Sequence, residues 1–188
     1  MQVVSWFIFG YLLLLLHVWF HELGHYLAGR FIVGIHKDNI RIKLFEYPPH
    51  VALKGKDAQW VAPNDKDGNY IESYLKYDPQ GKWSFLYIMA GFIFQTVIFF
   101  SLAACIFFIF NHSFANFIIG GSLFFNAVYI FGDALFSIWK QTPFGDTSAA
   151  FLFARWQTIL FVSILLLIYV FFYHFSQEDS FLKNSMEF

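Results

Sequence analysis

Four long, nearly uncharged apolar stretches constrain the fold of this chain more than any other feature of its sequence. They cover about residues 3–29, 85–110, 114–139 and 149–173. Each has the roughly 20 residues that a helix needs to cross a hydrocarbon core about 30 Å thick. Charged residues make up only 13 % of the chain, about half of what soluble domains carry. We therefore predict an all-α polytopic membrane protein with about four transmembrane helices, forming one membrane-embedded domain over residues 1–188.

The long segment between the first two stretches, residues 30–84, has a different pattern. Ile40–Leu44 alternates apolar and polar residues, which is typical of a half-buried strand, and a second strand can begin at Val51 after two prolines. This pattern predicts a β-hairpin in the loop. Asn64–Asn69 contains an Asp-Gly pair, which favours a further hairpin turn between short strands.

The basic residues predict how the chain is oriented. Ten of the 12 Lys and Arg residues lie in two loops, Arg30–Ser84 and Lys140–Thr147, which four spans place on the same side of the bilayer. Because basic loops tend to stay in the cytoplasm, we expect the large loop to be cytoplasmic and both termini to lie on the outer side. The expected location is the cell (plasma) membrane. A net charge of −1 argues against nucleic-acid binding through bulk basicity. The four apolar spans make the lipid bilayer the expected environment.

The first span carries the motif His21-Glu22-Leu23-Gly24-His25 near its end. Residues four apart share one face of a helix, so the two histidines can offer imidazole nitrogens to one metal ion. Glu22 lies next to this pair, where it can act as general base toward a metal-activated water. An idle ionisable group in a membrane span costs on the order of 2–3 kcal/mol. The motif therefore predicts a metal site with Glu22 as its catalytic base.

A catalytic zinc site needs a third protein ligand and one open position. The candidates are Asp133 and Asp146, each preceded by Phe-Gly. Asp133 precedes Lys140 by seven residues, which places it ~10 Å below the boundary, at the depth of the two histidines. Asp146 lies nearer the surface, where it can cap the fourth helix. We favour Asp133 and keep Asp146 as the second choice.

The motifs resemble those of the intramembrane zinc metalloproteases typified by site-2 protease, in its sporulation-protease-like branch. HELGH matches the family signature fully. The segment Asn126–Ala134 looks like the second signature, although the Asn-to-Asp spacing is one residue shorter, proline is absent and Ala134 replaces a glycine. Ala90-Gly91-Phe92 is similar to the family's Ala-Gly-Pro.

This resemblance implies a three-helix catalytic core and hydrolysis of peptide bonds within the bilayer. The implied substrates are single-span membrane proteins or signal-peptide-like segments, and the implied cofactor is one Zn²⁺ per chain. By carry-over, His21, His25 and Asp133 bind the zinc, and Asn126 helps to hold the substrate or the oxyanion. The strand near Ile40–Leu44 offers an edge to an unwound substrate. The alternative is a catalytically silent relative that binds metal or client helices without cleavage. Metal transport is a third reading, which would need several intramembrane acids or histidines along a path.

Overall fold

The computed structural model describes residues 2–65, 69–109 and 112–186 and is mostly helical. Its helices are α1 (Gln2–Ala28), α2 (Asn69–Leu75), α3 (Ser84–Ile109), α4 (His112–Lys140), α5 (Asp146–Phe153) and α6 (Arg155–Met186). Its strands are β1 (Ile40–Lys43), β2 (His50–Lys54) and β3 (Trp60–Val61).

Among the described residues, four helices are long and apolar enough to cross a membrane, as predicted. The candidate spans are Val4–Val33, Ser84–Ile109, Ser113–Lys140 and Arg155–His174. No more than 28 % of any span's most apolar window is buried inside the protein. Most of each span therefore presents apolar side chains outward, as a helix does when lipid surrounds it.

Two span boundaries differ from the predictions for physical reasons. The first span does not end at residue 29, because α1 continues into a π-helical turn over Gly29–Val33 that stops at Gly34, where φ is 83°. The predicted fourth span, residues 149–173, is broken: Ala154 adopts a non-helical conformation that separates α5 from α6. The predicted end of the second span, residue 110, lies outside the described residues.

The loop contains the predicted hairpin together with elements that were not predicted. β1 and β2 pair antiparallel, with Ile40 opposite Leu53, and β3 pairs with the other edge of β2. Residues 66–68 of the predicted turn at 64–69 lie outside the described part of the chain. The strand expected after that turn is not formed, because helix α2 begins at Asn69.

Close packing of α1 against α3 determines where the site lies. Gly24 faces α3, and a methyl group at this position would overlap the carbonyl oxygen of Ala90 and lie 2.8 Å from Cβ of Phe94. The small surface at Gly24 thus lets the two backbones approach each other. Near the C-terminal end of α1 and the N-terminal end of α3, an apolar cluster that includes Ile40 and Tyr87 packs the sheet against these two helices.

Candidate metal centre

The histidines of the HELGH motif lie one turn apart on α1 and point into the bundle. His21 and His25 are each 7 % exposed, and Glu22 between them is 8 % exposed. Helix α3 makes room for them at Gly91, where a methyl group would lie 2.6 Å from Cε1 of His21. Three polar side chains are therefore enclosed in the interior, where burial is costly unless they have partners or a function.

A backbone carbonyl fixes the proton of one ring. Nδ1 of His25 lies 2.9 Å from the carbonyl oxygen of Tyr87. Because a carbonyl only accepts, Nδ1 is the donor, and in the neutral ring the lone pair is left on Nε2. A hydrogen bond of this kind orients histidine ligands in metal sites.

Asp146 completes a three-atom cluster with the two rings. Its Oδ2 lies 2.7 Å from Nε2 of His21 and 3.1 Å from Nε2 of His25, and the two Nε2 atoms are 3.1 Å apart. Donors at about 2.0–2.1 Å from a tetrahedral zinc ion are roughly 3.3 Å from one another. The three observed separations are 0.2–0.6 Å shorter than this, so the atoms are arranged like one face of a zinc tetrahedron and would move slightly apart to hold the ion. Among the described residues, these three form the one group of acidic, histidine or cysteine side chains whose ligand atoms lie close enough together to hold a metal ion.

The charge state of Asp146 suits a ligand. Burial by itself raises the pKa of this carboxyl, but the positive charge of His25 in its protonated form and hydrogen bonding to His21 outweigh burial and hold the pKa below its usual range. Metal ligands must be deprotonated, so the carboxylate is in the required form.

Asp133, the preferred third ligand, lies elsewhere. Its carboxylate accepts hydrogen bonds from the backbone nitrogens of Gly145 (2.7 Å) and Ser148 (2.8 Å) and from the hydroxyls of Ser137, Thr147 and Ser148. These bonds fix the start of α5, whose amide groups favour a carboxylate. The structure therefore brings Asp146, the second choice, to the histidines, while Asp133 holds the turn that presents Asp146.

Asn126 lies in a separate buried cluster between α1, α3 and α4. Its Oδ1 accepts a hydrogen bond from Nε2 of Gln95 at 2.6 Å, and its Nδ2 donates to the carbonyl of Ser122 at 2.9 Å and lies 3.5 Å from Nε2 of His17. Both ends of the amide are thus engaged within the bundle. Such bonds hold transmembrane helices together.

The sequence reasoning missed Tyr129. Its hydroxyl lies 3.4 Å from Oδ2 of Asp146, and its ring centroid is 5.5 Å from that of His21. The spacing contained a signal, because Asn126, Tyr129 and Asp133 follow one another at three and four residues on α4 and so share one face. Of these three residues, Tyr129 is the one that lies against the site.

No protein-family model, curated protein or solved structure matches this chain. The geometry and chemistry of its own residues therefore carry the functional argument, and the resemblance to site-2 protease remains one of motifs.

Proposed function

We propose that this protein is a membrane-embedded zinc metalloendopeptidase that hydrolyses peptide bonds of single-span membrane proteins or signal-peptide-like segments. The observation that carries the proposal is the convergence of His21, His25 and Asp146, with donor atoms 2.7–3.1 Å apart, beside buried Glu22. Metal binding alone has no need of that glutamate, whereas hydrolysis requires a base next to the ligands.

The three ligand residues and Glu22 have different roles in the proposed reaction. His21, His25 and Asp146 would hold zinc, which when bound supplies Lewis acidity and makes water acidic enough to lose a proton near neutral pH. Glu22 accepts a proton from the attacking water and later delivers it to the nitrogen of the leaving amine. Proton transfer by a positioned group of this kind contributes about 10²–10⁴-fold to the rate. The buried position of the site keeps bulk water away from these charges, which strengthens their interactions.

A substrate helix must unwind before its peptide bonds can react, and β1 offers a place for the unwound segment. Strand β1 is an edge of the sheet, since the strand order is β1-β2-β3. Ile40 of β1 packs in one apolar cluster with Tyr87, whose carbonyl orients His25. An extended peptide that adds to this edge gains backbone hydrogen bonds close to the site. Proline at both Arg41 and Lys43 should therefore reduce cleavage; full activity of that variant would argue against this docking mode.

The orientation and the membrane belong to the same proposal. Positive charge in the loops favours a cytoplasmic location for residues 30–84 and the plasma membrane as the site of action. The candidate metal cluster then lies toward the cytoplasmic ends of the spans.

Elemental analysis combined with a cleavage assay tests the function. The wild type and the Glu22→Gln and Asp146→Ala variants are purified in detergent, analysed for metal, and incubated with a panel of single-span peptides whose products are identified by mass spectrometry. We expect about one zinc per chain in the wild type, full metal content without cleavage in Glu22→Gln, and loss of both in Asp146→Ala. Glu46→Gln, which changes an exposed loop acid, is the matched control and should behave as wild type. Cleavage by Glu22→Gln at the wild-type rate would refute the general-base role.

A catalytically silent protein that binds metal or client helices is the second candidate. The engaged amide of Asn126 favours it, because a residue expected to hold the substrate is bonded within the bundle. Zinc in the wild type with no cleavage of any peptide in the panel would support this reading over the enzyme.

A further inference from the structure

Asp146 and Tyr129 are the more exposed side chains of the candidate metal centre. The side chains of His21 and His25 are each 9 % exposed and that of Asp146 is 26 % exposed, while Tyr129 as a whole residue is 40 % exposed. A peptide that approaches the cluster of ligand atoms from the side of Asp146 and Tyr129 therefore passes the ring of Tyr129 before it reaches the buried histidines.

The phenol is held with its hydroxyl beside the ligand atoms. Its ring packs against His21 and Phe92, with centroid separations of 5.5 and 5.4 Å. Gly145 leaves space for the hydroxyl, since a methyl group there would lie 2.9 Å from it. The ring is thus positioned by packing on two sides and by a gap in the turn before α5.

The hydroxyl is only loosely bonded. It lies 3.4 Å from Oδ2 of Asp146, and the backbone nitrogen of Asp146 lies 3.4 Å from the hydroxyl oxygen. Hydrogen bonds between hydroxyls and oxygen are usually 2.7–2.8 Å long. A donor with so long a bond loses little when it turns to a better acceptor.

We propose that Tyr129 is a further catalytic residue, whose hydroxyl donates a hydrogen bond to the carbonyl oxygen of the scissile peptide as negative charge develops on it. This inference rests on the proposed function. The water oxygen bonds to the carbonyl carbon, and one proton of the water passes to Glu22. The negative charge that develops on the carbonyl oxygen is stabilised by a hydrogen bond from the phenol of Tyr129. The carbon–nitrogen bond then breaks, and the leaving nitrogen takes the proton from Glu22. A donor fixed in place before the reaction stabilises such charge without reorganisation.

Asn126, which the family resemblance assigns to substrate or oxyanion binding, is one turn away on the same helix. Its amide is already engaged by Gln95 and Ser122. Tyr129 is therefore the better-placed donor on α4, because its hydroxyl adjoins Asp146 itself.

Tyr129→Phe tests the proposal, because it removes only the hydroxyl. We expect kcat to fall about 10²–10³-fold, as when one donor to an oxyanion is removed, while KM and zinc affinity stay within about threefold. A phosphinic peptide that mimics the tetrahedral transition state should bind the variant more weakly by a similar factor. Tyr11→Phe, which alters another exposed tyrosine, should leave all four quantities unchanged.

Two results would overturn the assignment of Tyr129 as a catalytic residue. Wild-type kcat in Tyr129→Phe would overturn the assignment. Weakened zinc binding, with kcat restored at saturating zinc, would also overturn it and make Tyr129 a positioning residue for Asp146. Glu22→Gln measured in the same series separates this proposal from the proposed function. If Glu22→Gln is inactive and Tyr129→Phe is fully active, only the Tyr129 proposal fails. If the wild type cleaves nothing, both fail.

Discussion

Replacing Gly91 by alanine should weaken zinc binding although Gly91 is not a ligand. A methyl group at this position would lie 2.6 Å from Cε1 of His21 and 2.7 Å from both of its ring nitrogens. Non-bonded carbon contacts are most favourable at about 3.5–4.0 Å, so the ring must retreat by roughly 0.9 Å. Metal–ligand distances tolerate about 0.2 Å. The imidazole of His21 therefore cannot keep its place opposite Asp146.

The expected loss is about 10–100-fold in zinc affinity, the range seen when groups that orient metal ligands are changed. That corresponds to about 1.4–2.7 kcal/mol of binding free energy. Alanine is itself a better helix former than glycine by up to about 1 kcal/mol, so a general weakening of α3 does not explain the effect.

Competition with a chromophoric chelator in detergent micelles measures the affinity, and thermal unfolding of the metal-free forms shows whether the fold is retained. Gly10→Ala is the matched control, since it makes the same change on α1 where a methyl group meets nothing within 4 Å. Zinc affinity of Gly91→Ala within twofold of the wild type would refute the reasoning about the slot for His21.

Three further predictions concern the capping aspartate, the buried amide pair and the orientation of the large loop. Asp133→Asn should lower the melting temperature, because the start of α5 loses its carboxylate acceptor, and should reduce zinc affinity less than Asp146→Asn does; equilibrium dialysis measures both affinities, and the reverse order would return the ligand role to Asp133. Gln95→Leu removes the bond to Asn126 and should lower the free energy of unfolding in detergent by about 0.6–2 kcal/mol without changing zinc content; unaltered stability would show that the bond contributes nothing. Protease added to sealed inverted vesicles should cut the loop of residues 30–84, and cleavage from the opposite face instead would reverse the proposed orientation.

The spans and the two histidines could be predicted because each depends on local information. The length of an uncharged apolar run determines whether a helix can cross a bilayer, and the four-residue spacing of His21 and His25 determines that they share a face. Helix α2 and strand β3 are short and lie in the mixed polar segment, where no sustained apolar period marks them. The contacts of Gly91 with His21 and of Tyr129 with Asp146 depend on how α1, α3, α4 and α5 pack against one another.

The exchange of roles between the two aspartates shows where reasoning from depth alone fails. By chain position alone, Asp146 lies nearer the surface than the histidines and is suited to cap the fourth helix. The chain instead forms the short helix α5, which packs against α3 and α4 before Ala154 breaks it. The first residue of α5 is Asp146, and Asp133 fixes that end by binding the backbone nitrogens of Gly145 and Ser148. Because the carboxylate of Asp133 is engaged by these two backbone nitrogens, it is not available to the imidazole rings. Asp146, which lies between Gly145 and Ser148 in the chain, points at His21 and His25 instead. The assignment of Asp146 thus follows from the cap that Asp133 provides, which the spacing of the two residues along the chain does not reveal.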